Sequence, residues 1–204
     1  MNIIGFSSIG EKIQMRQLLV FIVTLGFLFG SGSLHAREFG GIDFPDKIAL
    51  PGTNKTVQLN GVGYRKKFFV KVYIGALYTE SLARSRDEVI AMKGPGRVML
   101  HFLHDEVSSE KLVDAWNEGF EQNLSEEGLE KFRSQIDDFN AMFPTVVKGD
   151  VVYIDYIPGT GTRVAINAEK KGVISGRDFY NALLDIWLGK EPADTGLRKA
   201  MLGG

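Results

Sequence analysis

The chain has 204 residues, 44% apolar and 24% charged, with 24 Lys and Arg against 25 Asp and Glu. That is enough chain for one well-filled domain of ordinary soluble composition, and the near-zero net charge excludes the basic excess typical of a nucleic-acid binder. No cysteine is present, which excludes disulfides, thiolate metal sites, a cysteine nucleophile and a lipidated N-terminal Cys.

From Met15 the chain reads MRQLLVFIVTLGFLFGSGSLHA: one Arg, an apolar run over 18–29, then small residues to Ala36. This is the order of a secretory signal peptide. Its core of about a dozen residues falls short of the roughly 20 that a membrane-spanning helix needs. The expectation is a leader over 1–36, cleaved after Ala36, with an uncleaved anchor as the alternative. Met15 is a candidate start, because 1–14 lack signal character. Residues 37–204 then form a single exported domain, periplasmic in a bacterial cell, with no stable membrane span once the leader is removed.

Residues 37–47 form a lead-in with two glycines and a proline. A turn signal at Pro51-Gly52 precedes the alternation of Thr56, Val57, Gln58 and Leu59, which predicts a strand. GVGYRKKFFVKVYIGALY (61–78) continues as one long strand, and RVMLHFLHD (97–105) is another. At Ser108 the period changes: Leu112, Val113, Trp116 and Phe120 predict a helix with Ser108 or Ser109 as N-cap. A second helix follows Ser125, with Leu129, Phe132, Ile136, Phe139 and Phe143 on one face and Pro144 as its end. Residues 150–159 and 162–173 alternate as an antiparallel pair, with Lys170-Lys171-Gly172 read as a turn. Ser175-Gly-Arg-Asp178 fits a capping box that starts a helix carrying Phe179, Leu183, Ile186 and Trp187, closed by Gly189. A short last helix is expected over 194–202. Strands, two helices, strands, then helices predict an α+β fold with helices on one face of an antiparallel sheet.

Few stretches of the chain match a motif of known chemistry. Gly61-Val-Gly63 and Gly159-Thr-Gly161 are not followed by helix starts, so neither reads as a phosphate loop. His101 and His104 with Asp105 and Glu106 suggest a metal site, but strand residues three apart point to opposite faces; no metal and no cofactor is expected. No G-x-S-x-G accompanies these histidines. Arg65 stands out. On a regular strand it shares a face with Lys67, Phe69, Lys71, Tyr73 and Leu77, while Phe68, Val70, Val72, Ile74, Ala76 and Tyr78 form a continuous core face. The mixed face suits either the wall of an amphiphile pocket or a plain solvent-facing side.

G-x-G-x-R-K-K followed by K-V-Y-I-G-A-L-Y, together with SGRDFYNALLDIWLGKEPADTGLRKAMLG (175–203), resembles the chalcone isomerase-like superfamily over roughly 40–203. The resemblance implies an open-faced β-sandwich, a large antiparallel sheet covered by helices with a cleft between them. One branch of that family isomerises chalcones. Its catalytic Arg matches Arg65 and its Lys matches Lys111. Its other catalytic positions fall on Val72 (with the Tyr73 hydroxyl beside it), Ser108, Ala115 and Ile186. The other branch binds fatty acids without turnover, through an Arg and a Tyr that match Arg65 and Tyr73. On one extended strand these two would stand roughly 26 Å apart at about 3.3 Å per residue. They meet at one carboxylate only if the chain turns sharply within 66–70, which contains no Gly, Asn or Pro. Arg65 alone, with Tyr73 deeper in the cleft, is the other arrangement. The resemblance thus implies a non-catalytic binder of a fatty acid or similar apolar carboxylate, with Arg65 and Tyr73 as ligand-binding residues. The alternatives are an isomerase of the intramolecular lyase type acting on an unsaturated ketone, through Arg65, Tyr73 and Lys111, and an accessory domain that binds a protein partner through the helix at 125–143.

Overall fold

Strand-forming alternation over the middle and end of the chain assembles into one seven-stranded antiparallel sheet. The computed structural model describes residues 36–204; the choice of start and the expected leader up to residue 35 lie outside these residues. The sheet contains β3 (Lys47–Ala49), β4 (Thr56–Lys67), β5 (Val70–Thr79), β6 (Gly96–Phe102), β9 (Val151–Ile157), β10 (Gly161–Ile166) and β11 (Glu169–Ile174), in the order β11-β10-β9-β6-β5-β4-β3. Two small two-stranded sheets accompany it: the hairpin of β1 (Ala36–Phe39) with β2 (Ile42–Pro45), and the antiparallel pair of β7 (Glu106–Val107) with β8 (Val146–Val147), whose strands are separated in sequence by two helices. The helices are α1 (Arg86–Ala91), α2 (Ser109–Asn123), α3 (Glu126–Asn140), α4 (Arg177–Leu188) and α5 (Thr195–Met201). The architecture is α+β, a large antiparallel sheet with a helical layer.

Alternation along the strands sorts the core into two faces. Leu77, Val98, Leu100, Phe102, Val152 and Ile154 lie against α2, α3 and α4 in one cluster. Val57, Leu59, Val62, Ile74, Ala76 and Tyr78 face the other way and are covered by Phe44, Leu50 and the β1–β2 hairpin. Ser108 and Ser125 cap α2 and α3, their hydroxyls accepting from the backbone N–H of Lys111 and Gly128. α3 ends at Asn140, before Phe143, yet Phe143 is still buried and packs 5.5 Å from Trp116.

Three expected features are corrected. Residues 61–78 are two strands and not one. β4 turns into β5 through Phe68-Phe69, and Phe68 takes a φ of 56°. A two-residue hairpin with positive φ at its first position normally places glycine there. The alternating apolar pattern runs straight through this turn, which hid it. Consequently Phe68 and Val70 are exposed and do not continue the core face. The second correction concerns β10 and β11, which turn at Asn167-Ala168, both with positive φ. Lys170-Lys171-Gly172 lies within β11, where Met142 packs over Gly172. Third, Ser175 does not cap α4. Gly176 occupies the N-cap at a φ of 91°, with no side-chain hydrogen bond.

Phe68 carries a left-handed backbone without burying its ring, which is 89% exposed. Phe68→Gly is therefore expected to stabilise the fold by ~0.5–1 kcal/mol, the left-handed penalty less the entropy glycine adds to the unfolded chain. A raised urea midpoint at unchanged m-value is the readout, and a lowered midpoint would contradict it.

Candidate functional site

The hairpin turn brings Arg65 opposite Tyr73 as direct cross-strand partners. The register also shifts between Arg65 and Lys66, so Lys66 pairs with Lys71 and Val72 is the extra residue. This bulge turns Val72 and Tyr73 both toward the helical side, re-aiming side chains as bulges do. The Arg65 guanidinium carbon lies 5.6 Å from the centre of the Tyr73 ring. Arg65 and Tyr73 are thus neighbours across the hairpin and not the ends of one extended strand.

Both residues line a cleft of about 430 Å³ between the β4–β5 tip, the segment after β6, and α2, within the size range of small-ligand sites. Its apolar wall includes Val72, Phe102, Leu112, Trp116 and Ile186. Lys67 and Lys111 add positive charge, His104 adds an imidazole, and Glu106, Asp114 and Glu118 add carboxylates. Arg65 is half-buried and has no carboxylate within ion-pair distance among the described residues.

Tyr73 is 3% exposed. Its hydroxyl oxygen accepts a 2.9 Å hydrogen bond from Trp187 Nε1, and no acceptor for its own O–H is present among the described residues. Burial pushes the phenol pKa above its usual 10.0, against the opposing pull of Arg65 and of the indole hydrogen bond. The group stays a neutral donor at physiological pH. Asp194 holds the bulge in place. One carboxylate oxygen accepts from Lys66 N at 2.8 Å, and the other accepts from Leu197 N at the start of α5.

All three expected site residues, Arg65, Tyr73 and Lys111, therefore meet at one cleft. Ser108 serves as the α2 cap. Val72, Ala115 and Ile186 line the cleft with apolar atoms. His101 and His104 do not come together: His101 pairs with Ile74 and Val151 within the sheet, while His104 lies beyond the strand end at the cleft. Burial lowers the His101 pKa. Two groups escaped the sequence reading. Trp187 was visible only as a core position of α4, yet its N–H orients the phenol. Trp116, also a core position, lines the cleft with an indole N–H that is buried and lacks a partner among the described residues.

Tyr73→Phe leaves the Trp187 N–H buried without an acceptor. We expect it to lower stability by about 1–3 kcal/mol, measured by urea unfolding. An unchanged midpoint would mean that this hydrogen bond contributes nothing.

The arrangement supplies a cation and a neutral O–H donor on the wall of an apolar cleft, a pair suited to a carboxylate. A family model described as chalcone isomerase-like matches residues 36–203. Among solved structures, a fatty-acid binding protein of Arabidopsis thaliana superposes with a TM-score of 0.63 at 18% identity, over 82% of this chain and 96% of that one. At that identity the likeness speaks for the fold. None of the curated proteins compared matches the sequence.

Proposed function

The chain belongs to the chalcone isomerase-like family, and from that premise we propose that it binds a fatty acid or similar apolar carboxylate in its cleft without turning it over. The observation that carries this reading is the pairing of Arg65 with Tyr73 across the β4–β5 hairpin, both lining the cleft. A carboxylate placed there gains a charge-assisted bond from a guanidinium that has no ion-pair partner among the described residues, and a second bond from the phenol O–H. The acyl chain lies against Val72, Phe102, Leu112 and Ile186. The structural likeness to a plant fatty-acid binding protein points the same way. So do the apolar side chains at Val72, Ala115 and Ile186, where the isomerase branch places polar groups. The leader pattern over 15–36 adds that this binding takes place outside the inner membrane.

Titration of laurate into the purified protein tests the reading. Arg65→Gln is expected to weaken binding by roughly 10- to 100-fold, the worth of a hydrogen bond to a charged group. Native mass spectrometry of protein from its own host then reports the carried ligand. If laurate binds equally well to Arg65→Gln, the carboxylate anchor lies elsewhere. If the protein cyclises a chalcone and that activity falls in Arg65→Gln and Lys111→Ala, the isomerase reading replaces this one. Lys111, which lines the same cleft, is the observation that keeps that second reading in view.

A further inference from the structure

The tip of the β4–β5 hairpin is unlike the rest of the surface. Phe68 and Phe69 are 89% and 100% exposed, and Val70 is 49% exposed. Lys66, Lys67 and Lys71 surround them, all exposed. Neither Lys66 nor Lys67 has a carboxylate within ion-pair distance among the described residues. The nearby Asp194 carboxylate is occupied by the Lys66 backbone N–H and the start of α5. Lys71 reaches back so that its ammonium lies 4.0 Å from the centre of the Tyr64 ring.

Nothing in the fold asks for this composition. A two-residue hairpin is best served by glycine at the position of Phe68, and two phenylalanines in water gain nothing from folding. Backbone strain spent on an exposed aromatic is a reason to look for a partner. Aromatic side chains at an apex, ringed by lysines, match a bilayer interface with anionic headgroups. The rings enter the headgroup–acyl boundary while the ammonium groups stay at headgroup level and meet phosphate. The same tip forms the rim of the cleft, since Lys67, Phe68 and Val70 line it.

The geometry points to Phe68-Phe69 as a membrane-docking tip that seats the protein on an anionic phospholipid surface, with the cleft opening at the lipid boundary. The inference stands apart from the ligand reading and holds whatever the cleft carries. It does, however, provide a route by which an apolar ligand passes between bilayer and cleft without crossing water.

The absence of cysteine allows a single nitroxide at Phe69→Cys in the full chain, with Glu127→Cys on α3 as an exposed control. Vesicles of phosphatidylcholine mixed with phosphatidylglycerol are compared with phosphatidylcholine alone. The label at 69 is expected to become shielded from an aqueous relaxant and open to dissolved oxygen on the anionic vesicles, while the label at 127 stays in water. Vesicle affinity, read from this insertion signal, should fall roughly fivefold for each of Lys66→Gln and Lys67→Gln. Phe68→Gly combined with Phe69→Ser should abolish vesicle-induced protection of a separate label at Val70→Cys, while thermal unfolding shows the fold intact. A label at 69 that stays water-exposed on vesicles overturns the inference, as does failure to bind them at all. Shielding that grows with protein concentration in the absence of vesicles also overturns it, because a second copy then covers the tip. Loss of laurate binding in Arg65→Gln with vesicle docking intact would separate the two sites.

Discussion

Asp155→Asn is expected to cost about 3–5 kcal/mol of folding stability, the range for stripping one partner from a buried ion pair. Asp155 is 2% exposed on β9, and the sheet register places Arg97 of β6 and Arg163 of β10 on either side of it. Its two oxygens accept from Arg97 Nε at 2.5 Å, Arg97 Nη2 at 2.9 Å and Arg163 Nη2 at 2.7 Å. Arg163 also donates to the Pro51 carbonyl at 2.6 Å, tying the turn before β4 to the sheet. Asparagine keeps the shape but offers a single acceptor oxygen and no charge. Arg163 retains some exposure and can turn toward water, whereas Arg97 is 8% exposed and keeps its charge in the core. Urea unfolding measures the loss. The double replacement Arg97→Met with Asp155→Leu should recover most of it, since removing both charges avoids the uncompensated one. Less than about 1 kcal/mol of loss in the single variant would show that water already reaches these charges. The triad lies on the sheet face away from the cleft, so laurate affinity of the folded fraction should not change.

Most of the regular structure could be read because its signals are local. The period places helix starts at Ser108 or Ser109, after Ser125 and at Asp194, and Ser108, Ser125 and Asp194 each cap a helix through their own side-chain oxygen. Turns were harder wherever their chemistry was unusual. The Phe68-Phe69 turn lacks Gly, Asn and Pro, and its strands share one apolar rhythm, so pattern alone favours an unbroken strand. At Asn167-Ala168 the Asn was present, but the lysines and Gly172 beyond it carried the stronger turn signal. The site depended on that first turn. Periodicity left Arg65 and Tyr73 far apart, and only the family resemblance suggested that they act together. Their contact is a product of the hairpin register and its bulge, which are tertiary facts with no residue signature here. The roles of Trp116 and Trp187 are invisible for a different reason: both are genuine core residues, and period cannot say where an indole N–H points.

The glycines of Gly61-Val-Gly63, which do not read as a phosphate loop because no helix start follows them, have a packing cause that reaches the site. α5 lies directly on β4 and β5. A Cβ built on Gly61 would stand 2.0 Å from the Ala200 carbonyl oxygen and 2.8 Å from that of Met201. Both neighbours are backbone, so nothing can rotate away and α5 must lift. Asn60, beside it in a β-bulge, donates to the same Met201 carbonyl at 2.7 Å and to Ala83 O at 2.9 Å, bonds that a lifted helix would strain. Gly61→Ala is therefore expected to cost about 3 kcal/mol or more, the upper range of overpacking. Gly63 differs: its added Cβ would meet the Ala200 Cβ at 2.6 Å, a side-chain atom. Ala200→Gly should then rescue Gly63→Ala and fail to rescue Gly61→Ala, as read by urea midpoints. Rescue of both would mean that α5 yields as a whole and the backbone contact is not the barrier. Because Asp194 at the head of α5 also holds the Lys66 N–H, lifting α5 loosens the bulge that sets Arg65 against Tyr73. Gly61→Ala should accordingly weaken laurate binding, although Gly61 does not line the cleft.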